Sequence, residues 1–328
     1  MNNLNKDTAP EVIQVKETAD CFFANMNKVM VGKQETIRLV FTALLCEGHV
    51  LIEDVPGTGK TQLAKAVTRS LDCEFKRIQC TPDLLPSDVT GIHFFNQMSS
   101  KFEFRPGPVI ANIVLVDEIN RALPRTQSCL LECMQERQIT VDTDTVALPR
   151  PFMILATQNP VELEGTFPLP EAQLDRFLLR TELGYPTNKE ENDILTRFQV
   201  EDPLEKMESV IKTDELLKSQ KICRHVLVDD SIRNYIVNLS AATRQHPQIK
   251  LGTSPRASLG LQLAAQAFAA INGRSFVIPD DVKALAVSVL AHRLIVKTDA
   301  RLKGKSEKEI IQEILSEVKV PVEDIKNV

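Results

Sequence analysis

The sequence predicts an α/β fold: a parallel five-stranded sheet with helices on both faces and β-hairpin insertions, followed by an all-α domain. In the first half of the chain, short apolar runs alternate with helical patterns, which is typical of a parallel sheet. After Tyr185-Pro186 the strand pattern stops, and apolar residues recur only at helical spacing. The 328 residues are enough for about two domains, which we predict at residues 1–187 and 188–328.

The elements of the first domain follow from these patterns. Residues 1–10 are polar and predict a loose tail, and helical spacing begins near Val15. One helix follows the first strand, and Pro124 opens another between the third and fourth strands. The predicted strands are Val50–Val55, Glu74–Cys80, Ile113–Asp117, Phe152–Thr157 and Phe177–Leu183.

Two insertions in this domain predict β-hairpins. His93–Phe95 and Phe102–Phe104 flank a polar turn, and Gln138–Val141 and Thr145–Leu148 flank a second one. The second domain shows apolar residues at i, i+3, i+4 and i+7 from Ile232 onwards, which predicts helices only. Residues 201–227 are weakly patterned, and we expect a flexible connection there.

Composition excludes several classes of protein. With 39 basic and 44 acidic residues the net charge is −5, which argues against polyanion binding by bulk charge. The longest apolar stretch, Ala257–Ile271, is shorter than the ~20 residues of a membrane-spanning helix, and residues 1–11 lack a signal layout. Seven cysteines without a Cys-x-x-Cys pair and five scattered histidines fit neither a disulfide scaffold nor a zinc finger. We therefore expect a cytoplasmic protein without a membrane span.

A glycine-rich turn directly follows the first predicted strand and precedes a helix. Its Gly59-Lys60-Thr61 end has P-loop chemistry: backbone N–H groups surround phosphates, Lys60 reaches the terminal phosphates, and the Thr61 hydroxyl binds Mg²⁺. The strict pattern has glycine where this chain has Asp54, at the strand exit and away from the Lys-Thr end, so we expect nucleotide binding to be retained. The predicted cofactor-binding residues are Asp54, Val55, Pro56, Gly57, Thr58, Gly59, Lys60, Thr61 and Gln62.

Two carboxylates end the third predicted strand. Asp117 suits the Mg²⁺ shell, and Glu118 suits a base that polarises the attacking water. By itself an apolar run followed by acids is equally often a strand entering a loop, but its spacing from the P-loop favours the functional interpretation. Asn159, at the end of the fourth predicted strand, could bond the water or the γ-phosphate, although Asn159-Pro160 is also a plain turn signal.

Several longer motifs resemble the MoxR family of AAA+ ATPases. They are Asp117–Ala122, Ala156–Pro160, Leu169–Phe177, Gly252–Ala257 and Pro279–Val282. They occur in the family's order, and the resemblance covers nearly the whole chain after residue 28. It implies a P-loop NTPase of the AAA+ type with a helical lid, whose cofactors are ATP and Mg²⁺. An aspartate at position 54 is within the family's form of the P-loop.

The resemblance also implies roles for residues that spacing does not identify. Asn159 becomes the sensor of the γ-phosphate, Arg176 the arginine finger offered to a neighbouring subunit, and Arg256 the second sensor. Which of the two arginines acts in trans stays open. Val31 and Gly32 are similar to the family segment that lines the adenine.

The implied function is a ring-forming, hexameric ATPase that remodels or matures client proteins with a von Willebrand A domain partner. In related proteins the hairpins face the pore of the ring or a partner, whereas a simpler interpretation packs them against the sheet. An ATP-gated binding module with little turnover is the alternative. A DNA motor ranks third, because the hairpin turn Asn96–Lys101 holds one cation where a DNA-tracking loop needs more.

Overall fold

The computed structural model describes residues 8–142, 144–160 and 165–321. The chain divides into two compact units. The sheet unit comprises the described residues of 18–177 and 181–218, and the helical unit those of 8–17, 178–180 and 219–328. A boundary after residue 187 stays a prediction. In the described part of the chain no helix is long and apolar enough to cross a membrane.

The strands confirm the predicted α/β fold. In the described residues a five-stranded sheet has the order β2-β5-β8-β1-β9, and β2/β5, β5/β8 and β8/β1 pair in parallel. The five predicted strands are all present within one or two residues at most ends. The strands are β1 (Val50–Glu53), β2 (Phe75–Gln79), β3 (Gly91–Asn96), β4 (Lys101–Pro106), β5 (Ile113–Asp117), β6 (Gln138–Val141), β7 (Asp144–Ala147), β8 (Met153–Gln158), β9 (Leu179–Thr181), β10 (Ile249–Leu251) and β11 (Ile295–Val296).

Both predicted hairpins form. β3 pairs with β4 and β6 with β7, each antiparallel. The His93 ring lies between the turn carboxylates of the second hairpin, with Nδ1 3.1 Å from Asp142 Oδ2 and Nε2 3.4 Å from Asp144 Oδ2. The two insertions therefore contact each other within the sheet unit. In the helical unit, a short antiparallel pair of β10 and β11 accompanies the helices.

Helices connect the strands of the sheet unit and form most of the helical unit. The helix from Val15 begins earlier than predicted, at Thr8; the rest of the predicted tail, residues 1–7, lies outside the described residues. The helices are α1 (Thr8–Met26), α2 (Gln34–Leu45), α3 (Lys60–Ser70), α4 (Pro86–Thr90), α5 (Pro124–Glu136), α6 (Glu171–Leu174), α7 (Asn188–Phe198), α8 (Thr213–Arg224), α9 (Asp230–Gln245), α10 (Pro255–Ile271), α11 (Pro279–Leu290), α12 (Thr298–Leu302) and α13 (Glu307–Glu317).

The expectation of a flexible connection at residues 201–227 is wrong for α8. Its buried positions are Leu216, Ser219, Gln220 and Cys223, at i, i+3, i+4 and i+7. This is the stripe of an amphipathic helix, but two of its four members are polar. The apolar pattern in the sequence was therefore too weak to predict the helix.

Candidate active site

The turn between β1 and α3 has the backbone of a phosphate-binding loop. Gly57 and Gly59 have φ of +85° and +94°, and an added Cβ would meet no heavy atom within 4 Å at either. The left-handed backbone, and not a lack of space, therefore requires glycine at both positions. Gly59 is the N-cap of α3, so the free N–H groups of the helix lie at the loop. The arrangement suits an anion.

Asp54 fastens this loop to the segment that follows β9. Its side chain is buried, and Oδ1 accepts from the Val55 N–H at 2.8 Å. Oδ2 accepts from the N–H groups of Leu183 at 2.9 Å and Gly184 at 2.8 Å. The strict P-loop pattern has glycine here, and these contacts give the aspartate a structural role that sequence reasoning had not found.

The Lys60 side chain contacts the backbone of the loop between β1 and α3. Its Nζ donates to the carbonyl oxygens of Asp54 at 2.9 Å and Val55 at 3.0 Å. The Thr58 hydroxyl donates to the same Val55 oxygen at 3.3 Å. The Lys60 ammonium group therefore lies at the loop that leads into the N-terminus of α3, which is the electrostatic setting of a polyphosphate site.

The two acids lie at the end of β5, beside the end of β8. The Thr157 hydroxyl on β8 donates to Asp117 Oδ1 at 2.5 Å and accepts from the Glu118 N–H at 2.9 Å. Glu118 has a φ of +57°, a left-handed conformation that costs a non-glycine residue about 1 kcal/mol or more. The contact with Thr157 therefore helps to keep Glu118 in this conformation. The sequence analysis had given Thr157 no role.

Two side chains of β2 reach the same acids. Arg77 Nη2 lies 2.5 Å from Asp117 Oδ2, and it also donates to Gln79 Oε1 at 2.7 Å. Gln79 Nε2 donates to Glu118 Oε2 at 3.1 Å. Sequence reasoning missed both residues. Their i, i+2 spacing at the end of the strand that adjoins β5 was the signal that could have found them.

A cavity of about 280 Å³ adjoins the loop. The predicted residues Val31, Gly57, Thr58, Gly59 and Gln62 line it, together with the mostly apolar Val29, Met30, Lys33, Pro186, Ile194 and Phe198. The lining does not include the other predicted residues of the loop, which are Gly32, Asp54, Val55, Pro56, Lys60 and Thr61. An apolar wall beside an anion site suits a nucleotide, whose base is flat and apolar on its faces.

Two predicted residues near this cavity make contacts of their own. The Gln62 amide Nε2 donates to Asp202 Oδ1 at 3.0 Å. Gly32 has a φ of +70°, and a Cβ there would lie 1.7 Å from Glu190 Oε1, so the close approach of Glu190 requires glycine. Gly32 therefore shapes the segment that carries Val31.

The remaining predicted residues lie in three places. Asn159 is half-buried and directly follows β8, which lies between β5 and β1 in the sheet. Arg176 is half-buried, and its Nη1 donates to the Leu131 carbonyl oxygen on α5 at 3.0 Å. Arg256 is exposed in the first turn of α10, in the helical unit. Their roles as sensors and finger stay predictions.

Asp117 and the Thr61 hydroxyl have the chemistry of a magnesium ion's ligands when the ion also binds phosphate. Mg²⁺ prefers oxygen ligands, and proteins bind it through one or two carboxylates together with substrate phosphates. Asp117 and Thr61 offer a carboxylate and a hydroxyl. Among the residues that the structure describes, no group of three or more His, Cys, Asp or Glu side chains could hold a metal by itself. The donor set is thus one that a bound nucleotide would complete.

Comparisons with known proteins define the class. Residues 49–179 match the family described as "ATPase family associated with various cellular activities (AAA)", and residues 241–314 match the AAA lid domain. A solved structure of a candidate ATPase from Cytophaga hutchinsonii superposes with a TM-score of 0.90 at 36% identity, covering 95% of this chain and 98% of that one. The molecule is an α/β AAA+ protein with a helical lid.

Relatives along the whole chain identify the family. Chaperone MoxR1 of Mycobacterium tuberculosis is 40% identical over 90% of this chain and 80% of its own length. Protein MoxR of Paracoccus denitrificans is 32% identical over 83% of this chain and 87% of its own. An uncharacterized Bacillus subtilis protein, YeaC, is 51% identical over 91% of this chain and 93% of its own length. The chain belongs to the MoxR family of AAA+ ATPases.

Proposed function

We propose that the protein binds ATP with Mg²⁺ in the sheet unit and hydrolyses it to remodel or mature client proteins. The observation that carries the proposal is the pairing of two glycines with positive φ at the start of α3 with two carboxylates at the end of β5. Carboxyl ends of parallel strands meet at one edge of a sheet, so the anion site and the acids share that edge.

Each residue has a chemical task in this proposal. Lys60 and the amides of the loop hold the phosphates, and Glu118 polarises the attacking water, with Asn159 helping to orient it. A magnesium ion held by Thr61 and Asp117 would neutralise the phosphate charge. Glu118 accepts one hydrogen bond from the Gln79 amide, which holds the proposed base at the end of β5.

We further propose a ring, most simply a hexamer, in which Arg176 reaches the ATP of the neighbouring subunit. Arg256, in the first turn of α10, is proposed as the second sensor of the bound nucleotide. A relative bearing the name Chaperone MoxR1 supports the client-directed task. The von Willebrand A domain partner and the cytoplasmic location rest on the family resemblance and the composition described above.

The decisive experiment compares ATP hydrolysis and ATP binding in Glu118→Gln. Loss of a general base lowers turnover by about 10²–10⁴-fold, while binding remains because Gln keeps the shape of the side chain. The control is Glu132→Gln, the same change at an exposed position of α5. Turnover equal to wild type in Glu118→Gln would remove the proposed mechanism.

The same variant separates a motor from an ATP-gated module. A motor loses client maturation in Glu118→Gln and accumulates ATP-bound complexes, which a pull-down in ATP would identify. A module whose partner docking depends only on bound nucleotide keeps its function. A DNA affinity that falls steeply with salt would instead favour the nucleic-acid motor.

A further inference from the structure

We propose that Arg77 is a built-in counter-cation of Asp117 that competes with Mg²⁺ and so weakens the magnesium affinity of the site. The inference rests on the proposed function, because it takes Asp117 as a magnesium ligand. It concerns a residue of β2, outside the P-loop and outside the acidic strand.

The pairing of β2 with β5 places Arg77 next to Asp117. β2 is the first strand in the sheet order and pairs in parallel with β5, with Gln79 opposite Asp117 and Arg77 opposite Leu115. Side chains two residues apart lie on one face of a strand, so Arg77 and Gln79 share a face at its carboxyl end. Lys76 is on the other face, where its Nζ lies 3.1 Å from Glu74 Oε1.

Each carboxylate oxygen of Asp117 accepts a hydrogen bond. Oδ1 accepts from Thr157 and Oδ2 from Arg77, each at 2.5 Å. Thr157 is neutral, and its hydroxyl can turn away from a cation. A guanidinium is cationic, so a metal on the same carboxylate must repel Arg77 or displace it. Arg77 has room to leave, because its side chain is 46% exposed.

The displacement has a second consequence at Glu118. One nitrogen of Arg77, Nη2, bonds both Asp117 and Gln79, and Gln79 in turn bonds Glu118. When Arg77 leaves Asp117, the Gln79 amide loses the partner that orients its oxygen. Metal binding at Asp117 would therefore weaken the hold of Gln79 on Glu118.

The test measures Mg²⁺ affinity directly. Mg²⁺ is titrated calorimetrically into full-length protein saturated with ADP, for wild type, Arg77→Gln and Arg77→Met. We expect the apparent Mg²⁺ Kd to fall about two- to fivefold in both variants, the range for a half-exposed ion pair. Lys76→Gln removes the same charge one residue away on the opposite face and should match wild type. Arg77→Lys keeps the charge and should stay near wild type.

The outcomes separate the two proposals. Wild type that binds ADP, with a Mg²⁺ Kd that is unchanged or higher in Arg77→Gln and Arg77→Met, overturns the role of Arg77 alone. An equal gain of affinity in Lys76→Gln also overturns it, since bulk charge then explains the effect. Wild type that binds no ADP overturns the proposed function and this inference together.

Discussion

At the scale of single residues, Asp54 shows how a departure from a motif is compensated. The carboxylate takes three backbone N–H groups, two of them from a segment about 130 residues further along the chain. A buried carboxylate is stable only when hydrogen bonds satisfy its oxygens, and here they do. Asp54 therefore fixes the end of the loop next to β1, while α3 begins at its other end.

Asp54→Asn should lower the free energy of unfolding by about 1–3 kcal/mol, because an amide nitrogen would face backbone donors. Urea denaturation measures the change. Asp72→Asn is the control, since Asp72 is exposed in a turn with a φ of 49°, which asparagine tolerates. Equal losses in the two variants would contradict the anchoring role of Asp54.

His49 is a second buried polar residue with defined partners. Its Nδ1 accepts from the Ile154 N–H at 2.9 Å, and its Nε2 lies 3.0 Å from the Met134 carbonyl oxygen, so the neutral ring with the proton on Nε2 satisfies both. Burial lowers the pKa of His49 from 6.5 to about 4; the Met134 hydrogen bond opposes this, and the charge of Arg137 adds to it. Folding therefore keeps this ring uncharged.

The depressed pKa of His49 predicts a pH dependence of stability. In the unfolded chain His49 binds a proton below about pH 6.5, whereas in the folded protein it binds one only below about pH 4. The contribution is complete above pH 6.5 and is lost as pH falls towards 4, with a slope of at most about 1.4 kcal/mol per pH unit. Urea denaturation between pH 4 and 7 should show a shallower slope in His49→Gln than in wild type, while exposed His225→Gln keeps it. Identical slopes would refute this.

At the scale of elements, the loop between β1 and α3 combines a backbone requirement with the proposed binding of phosphate, and the two can be tested separately. Gly59→Ala should cost about 1–2 kcal/mol of stability, because a left-handed φ is unfavourable for alanine. ATP affinity should fall as well, since the loop amides shift. Gly304 is the matched control: its φ is +81°, nothing lies within 4 Å of an added Cβ, and it lies in the turn between α12 and α13.

Gly304→Ala should therefore lose similar stability but bind ATP normally. Thermal unfolding and fluorescence titration with a nucleotide analogue measure the two quantities. Loss of ATP affinity in both variants would show that general destabilisation, and not the loop conformation, explains the result.

Elements differ in how far the sequence predicted them. β5 and β8 are almost entirely buried, so their apolar runs were long and unambiguous. α8 was missed because Ser219 and Gln220 occupy its buried stripe. The hairpins were predicted from aromatic and β-branched runs around polar turns, although Phe95 and Phe102 are more than half exposed.

At the scale of the whole molecule, the proposed ring predicts complementation between inactive variants. Arg176→Ala should lower turnover about 10³-fold or more, and Lys60→Ala should abolish it. Mixing the two should restore part of the activity, because a neighbour with an intact finger then completes an intact loop. Arg125→Ala, at an exposed position of α5, is the control for loss of an arginine.

The measurement is steady-state turnover of the mixture against the sum of its parts, repeated over a dilution series. Specific activity of wild type should fall on dilution below the assembly concentration. A mixture no more active than its components, with specific activity independent of concentration, would place the finger within its own subunit.

The sequence by itself determined what is local: the glycines before Lys60-Thr61, the acids after a buried strand, the hairpin turns, and the ordered motifs that resemble the family. Local patterns suffice there because strand burial, helix starts and turn chemistry depend on near neighbours in the chain. Only the tertiary structure decided the partners of these residues. Thr157 and Arg77 reach Asp117 across 40 positions of sequence, because parallel pairing brings the carboxyl ends of separate strands together.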